Sequence, residues 1–229
     1  MISSNNSQLV RVGIAGLGRS GWNIHARQLQ SLPECFRVTA VTDAVADRLT
    51  EANGELGCQT YTEFDAMLAD DNVDLIVVAT PNPLHTEHSI AAMRAGKHVV
   101  CEKPFALSVA DADRAIAISQ ETGKLLAPFQ NRRFEPHFLK VKELIDSGEL
   151  GRILQIRMVW HGFTRRWDWQ TLKQYGGGLL NNNGAHLLDQ ALTLLNDDEP
   201  EMFVDLQRGL SSGDTEDHIK VVLRNRDGM

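Results

Sequence analysis

An apolar run over residues 9–15 passes without a break into Gly16-Leu17-Gly18-Arg19-Ser20-Gly21, and a helix-like stretch over 23–32 follows at once. A buried strand, a glycine turn and a helix in that order leave few folds open. The first glycine allows a tight turn, the second lets a pyrophosphate approach the backbone, and the third lets the helix pack close to the strand. The helix amides then face the anion. Gly16, Gly18, Arg19, Ser20 and Gly21 are therefore candidate cofactor contacts.

The pattern that follows agrees with this start. A second strand over 36–42 closes on Asp43, whose carboxylate can accept hydrogen bonds from the adenosine ribose hydroxyls and would repel a 2′-phosphate. That favours NAD, with NADP left open by the nearby Arg48. In the other reading, Asp43 caps the next helix. A helix over 44–56, a short strand over 59–61 and a helix over 63–69 lead to an apolar strand over 75–79. Thr80-Pro81-Asn82-Pro83-Leu84-His85 then forms a loop stiffened by two prolines, from which Thr80, Asn82 and His85 could reach a cofactor. His85 also reads simply as a helix-start residue. A helix over 86–95 stops at Gly96, and the strand over 98–101 runs into Glu102-Lys103-Pro104. This places a lysine at the carboxyl edge of the sheet, where doubly wound folds bind ligands; a solvated Glu-Lys pair at an ordinary strand end is the plainer reading. A helix over 108–122 and a sixth strand over 124–127 complete the alternation expected of a doubly wound parallel sheet.

Beyond Pro128 the pattern changes. The sequence predicts a helix over 136–147, a long strand over 153–160, a loop over 162–174 dense in Trp and Arg, and strands over 202–210 and 218–224. Gly176 to Gly178 open a helix whose Asn182, His186 and Asp189 are spaced four and then three apart, which puts them on one face. These features suit an α+β domain with a mainly antiparallel sheet. The expected organisation is a disordered tail over 1–8, a dinucleotide-binding domain over 9–127 and a second domain over 128–229.

Composition narrows the class of partner. A formal net charge of −7 over 229 residues argues against a nucleic-acid or anionic-membrane surface and for a small-molecule partner. Cys35, Cys58 and Cys101 are isolated and odd in number, which suits buried thiols in a reducing cytoplasm better than disulfides or a metal site. The first residues have neither the basic start nor the apolar core of a signal peptide, and no membrane span is expected.

Taken together, Gly16-x-Gly18-x-x-Gly21, Thr80-Pro81-Asn82-x-x-His85, Glu102-Lys103-Pro104 and Gly176-Gly177-Gly178 with Gly184-x-His186-x-x-Asp189 resemble the Gfo/Idh/MocA oxidoreductases. The resemblance covers essentially the whole chain after the tail. It implies a Rossmann domain, a substrate domain whose open-faced sheet also forms a homo-oligomer interface, and oxidation or reduction of sugars and cyclitols with a nicotinamide cofactor. Lys103 resembles the catalytic lysine, His186 the histidine that exchanges a proton with the substrate hydroxyl, and Arg132 and Trp169 residues that line the site between them. Glu102 and Lys103 join the cofactor set, and Asn182, His186 and Asp189 the substrate set.

The chemistry of those two residues can be argued independently. A neutral imidazole accepts a hydroxyl proton near neutral pH, and an ammonium stabilises developing alkoxide charge where water is excluded. A histidine packed on a helix face, and an Asp189 paired with a neighbour, are the plainer alternatives.

Two departures from the family pattern matter. An aspartate often stands four residues before the histidine, where this chain has Asn182, and an amide cannot carry a proton. The chain is also short for the family: Asp227-Gly228 is a hairpin signal followed only by Met229, which suggests a truncated sheet. Two further functions therefore stand beside the dehydrogenase: a non-catalytic NAD(P)-binding sensor, and an NAD-assisted glycosidase.

Overall fold

The computed structural model describes residues 9–197, 199–226 and 228–229. The expected tail over 1–8 and Asp227 of the hairpin signal lie outside the described residues. The chain divides into two compact units between Phe129 and Gln130.

The first unit is an α/β Rossmann fold. Strands β1 (Val10–Ala15), β2 (Phe36–Thr42), β3 (Gln59–Tyr61), β4 (Leu75–Val78), β5 (His98–Cys101) and β6 (Leu126–Pro128) form one parallel sheet in the order β3-β2-β1-β4-β5-β6. Helices α1 (Arg27–Gln30), α2 (Ala46–Leu56), α3 (Phe64–Leu68), α4 (His85–Arg94) and α5 (Val109–Thr122) connect them. The central strands send side chains into two buried clusters. In β4, Ile76 and Val78 pack with Met93 and Ile118, whereas Val77 packs with Ile14, Val41 and Leu49. Burial on both faces is why these strands read as nearly continuous apolar runs.

Strand order reverses between β1 and β4, so their carboxyl ends bound the crevice where such sheets bind ligands. Gly16 follows β1 with φ +88°, and a Cβ there would lie 2.6 Å from the Ala79 carbonyl oxygen after β4. Only glycine allows the two strand ends to approach so closely. The helix expected over 23–32 differs in its winding. It begins as a π-helical turn, Ser20–Ala26, and becomes α-helical only at α1. His25, within this turn, is buried.

The second unit holds α6 (Pro136–Asp146), α7 (Ala185–Leu195) and an antiparallel pair, β7 (Glu201–Gln207) with β8 (His218–Arg224). The long strand expected over 153–160 is not formed. Strand residues need a hydrogen-bonded neighbour, and among the described residues β7 and β8 pair only with each other. Leu154, Val159 and Trp160 in this stretch are exposed.

Two further boundaries move for identifiable reasons. β7 stops at Gln207 because the Asp217 carboxylate accepts hydrogen bonds from the N–H groups of Gly209, Leu210 and Ser211, which turns the chain away from the ladder. The glycines expected to open a helix form the turn before it instead. Gly178 has φ +107°, and a Cβ there would lie 2.4 Å from Glu216 Oε1, whose carboxylate accepts the Leu180 N–H at 2.8 Å. Helical winding begins at Leu180, again as a π-helical turn over Leu180–Gly184, and continues into α7.

Candidate functional site

At the carboxyl edge of the parallel sheet, three loops carry the expected cofactor residues. In the first, a Cβ on Gly21 would lie 1.8 Å from the Gly16 carbonyl oxygen, so the third glycine is what lets the helix start sit on the turn. A Cβ on Gly18 would meet no protein atom within 4 Å. Gly18 therefore needs no glycine for packing, and its open backbone suits close approach by a phosphate group.

Asp43, at the end of β2, closes back onto the same turn. Its Oδ2 accepts the Leu17 N–H at 2.6 Å and its Oδ1 accepts the Val45 N–H at 2.9 Å. Arg48 Nη1 lies 3.3 Å from both oxygens. Asp43 thus anchors the glycine turn as well as the segment entering α2.

The second loop joins β4 to α4. Asn82 begins a short 3₁₀ turn, Asn82–Leu84. His85, 1% exposed, places its Nδ1 2.7 Å from the Pro104 carbonyl oxygen and its Nε2 2.8 Å from that of Thr80. His88 contacts the Thr80 hydroxyl at 3.2 Å and stacks on Phe64. Burial, reinforced by the neighbouring His85, holds the His88 ring below the ordinary histidine range.

The third loop follows β5. Glu102 is buried, with Oε1 3.0 Å from His25 Nε2 and Oε2 accepting the Lys103 N–H at 3.1 Å. Burial pushes this carboxyl up, and the bonds from His25 and Lys103 more than offset it, leaving it below the usual glutamate value. Lys103 is partly buried, and the Lys103–Pro104 peptide is cis. The adjoining Cys101 thiol is pushed up to about 12 by burial, which leaves it un-ionised and unsuited to act as a nucleophile.

In the second unit, His186 is buried in the first turn of α7. Gln130 donates to the Ala185 carbonyl at 3.2 Å and Gln190 to that of Arg132 at 2.8 Å, so α7 fixes the segment that carries Arg132. The Arg132 guanidinium lies 4.4 Å from the centre of the Trp160 ring and bonds Glu135 at 2.7 Å. Trp169 packs edge-on to Tyr175. Asn182 lies in the π-helical turn, whereas His186 and Asp189 lie in α7. The Asn182 amide donates to Gln170 Oε1 at 3.3 Å. Asp189 forms a two-pronged ion pair with Arg133, the plainer of the two roles open to it from sequence.

Sequence reasoning did not single out His25, Gln130, Gln190 or Glu216. The signal available for His25 was a histidine four residues after the third glycine, on the helix that the turn brings onto the sheet.

Residues 10–130 match the family described as "Oxidoreductase family, NAD-binding Rossmann fold". Residues 138–229 match the companion "GFO/IDH/MocA C-terminal domain". The chain belongs to the Gfo/Idh/MocA family. Among its Gfo/Idh/MocA relatives, an uncharacterized oxidoreductase of Schizosaccharomyces pombe is 33% identical over 220 residues, 93% of this chain and 59% of the relative. The myo-inositol 2-dehydrogenase of Thermotoga maritima is 32% identical over 227 residues, 96% of this chain and 66% of that enzyme. An NAD-binding protein from Listeria innocua has a solved structure that superposes with a TM-score of 0.89 at 32% identity, over 96% of this chain and 64% of that one. The chain spans about 60% of the length of the first curated relatives it matches. Among its described residues no helix is long and apolar enough to cross a membrane.

Proposed function

We propose that the chain is an NAD-dependent oxidoreductase that moves hydride between the nicotinamide and a carbon-bound hydroxyl of a sugar, sugar derivative or cyclitol. The observation that carries this reading is the glycine turn at the strand-order reversal. There Gly16 and Gly21 are needed for packing, Gly18 is open, and Asp43 is held by the turn itself. NAD, when bound, supplies the hydride acceptor. Everything else is assigned to the chain's own groups.

In this reading the backbone around Gly18 receives the pyrophosphate, and Arg19, Ser20, Thr80, Asn82 and Glu102 complete the cofactor surroundings. Asp43 orients the ribose hydroxyls. Lys103 holds the substrate oxygen and stabilises negative charge as the hydroxyl proton leaves, and the His186 imidazole takes that proton. Arg132 and Trp169, with Asn182 and Asp189, supply substrate contacts. The exposed side chains of Met202, Phe203 and Val222 on the β7–β8 pair support assembly into a homo-oligomer.

Asp43 gives a separate test. Asp43→Ser removes the carboxylate that would repel a 2′-phosphate and releases Arg48. The ratio of NAD⁺ to NADP⁺ affinity, measured by calorimetric titration, is expected to fall at least ~10-fold, equivalent to ~1.4 kcal/mol. An unchanged ratio would remove Asp43 from cofactor discrimination.

Titration with NAD⁺ followed by a polyol and aldose panel, read as NADH absorbance, tests the activity. Net NADH from a panel member supports the dehydrogenase. NAD⁺ binding without NADH across the panel favours a sensor of the same fold, the reading that Asn182 supports because its amide cannot exchange a proton.

A further inference from the structure

Lys103 sits between two residues that are each held by a buried histidine from a different helix. On one side is Glu102. Its Oε1 lies 3.0 Å from Nε2 of His25, which belongs to the π-helical turn after the glycine loop. Its Oε2 accepts the Lys103 N–H. The His25 ring is backed by Phe129, with ring centres 4.4 Å apart. On the other side is Pro104, whose carbonyl oxygen lies 2.7 Å from Nδ1 of His85 in α4. The opposite nitrogen of His85 faces the Thr80 carbonyl oxygen, so the ring also ties the loop after β4 to the loop after β5.

A carboxylate buried like that of Glu102 is costly to fold around, and an apolar side chain of similar size would fill the space at lower cost. Packing alone does not call for a charge at this position. What the charge provides is a pair of directed hydrogen bonds, one to a helix and one to the lysine amide. These fix the backbone at residue 103 relative to the turn that the cofactor reading uses.

We propose that His25, acting through Glu102, and His85, acting through Pro104, are positioning residues that hold Lys103 at the sheet edge. The inference rests on the role given to Lys103 above. It adds that the helix after the glycine turn and the loop after β4 set where that lysine stands.

The test is hydrogen exchange at the Lys103 amide, followed by NMR on the ¹⁵N-labelled full chain without ligand. His25→Ala removes the group that orients Glu102, and the Lys103 amide is expected to exchange at least ~10-fold faster while the Val99 and Cys101 amides of β5 keep their protection. His25→Gln places an amide donor at nearly the reach of Nε2 and is expected to restore most of the protection. His85→Gln, which keeps one donor, is expected to give an intermediate increase. Unchanged Lys103 exchange in His25→Ala, failure of the Gln variant to rescue, or an equal rise across β5 would overturn the proposal. Because the measurement involves no turnover, it stands apart from the functional reading: a chain that transfers no hydride can still show the clamp. Where turnover is found, His25→Ala is expected to lower kcat more than it raises KM.

Discussion

Gly21→Ala is expected to destabilise the Rossmann unit by about 3 kcal/mol or more and to remove measurable NAD⁺ binding. The added Cβ would lie 1.8 Å from the Gly16 carbonyl oxygen, a backbone atom that cannot rotate away as a flexible side chain could. The helix start or the turn must therefore move. Both carry the site, through the Leu17 amide that Asp43 accepts and through His25. Gly18→Ala is the matched control. Its Cβ meets no protein atom within 4 Å, so stability should stay within ~0.5 kcal/mol while NAD⁺ affinity falls, because the methyl group stands where the phosphate would approach. Thermal melting and calorimetric titration of both variants separate packing from binding. Equal loss of stability in the two would mean that the glycines serve only the turn.

Lys103→Ala is expected to lower kcat for an identified substrate by ~10²–10³, or about 2.7–4 kcal/mol, the scale for removing one preorganised group that faces developing negative charge. The Rossmann core should be unaffected, since Lys103 lies outside both buried clusters. NAD⁺ affinity should change far less than kcat. Steady-state kinetics alongside titration give both numbers. A Lys103→Ala variant with unchanged kcat would show that the lysine is a solvated strand-end residue and would take the clamp's purpose with it.

The two units differ in how much of them their residues announce. Strands buried on both faces, such as Leu75–Val78, are legible because the apolar run, its length and its flanking turn residues all agree. The glycine turn is legible because backbone conformation and close approach leave only one residue type. The 153–160 stretch misleads because β propensity reports fitness for a pleated surface, and no such surface neighbours it among the described residues. Winding is also hidden. Neither Ser20–Ala26 nor Leu180–Gly184 carries a local pattern that distinguishes a π-helical turn from an α-helical one; the first holds a buried His25 bonded to Glu102, and the second a Leu180 amide that donates to the Glu216 carboxylate.

The site shows the same division. Lys103 and Asp43 follow from their positions at strand ends, where topology leaves little freedom. That Asp189 pairs with a neighbour was open from sequence, but its partner, Arg133, was not, because the two are 56 residues apart. His85 was legible as a histidine near the cofactor loops. That its two nitrogens face two carbonyl oxygens depends on where the loop after β5 returns, and no local pattern encodes that.

The most direct test of the central claim is to incubate the chain with NAD⁺ and a panel of polyols and aldoses deuterated at carbon, then to determine the isotopic composition of the recovered nicotinamide cofactor. The account expects NADH carrying deuterium from at least one member of the panel, and a label that appears far more slowly in Lys103→Ala and His186→Ala. NAD⁺ bound tightly, with no deuterium reaching the nicotinamide from any member, would contradict it.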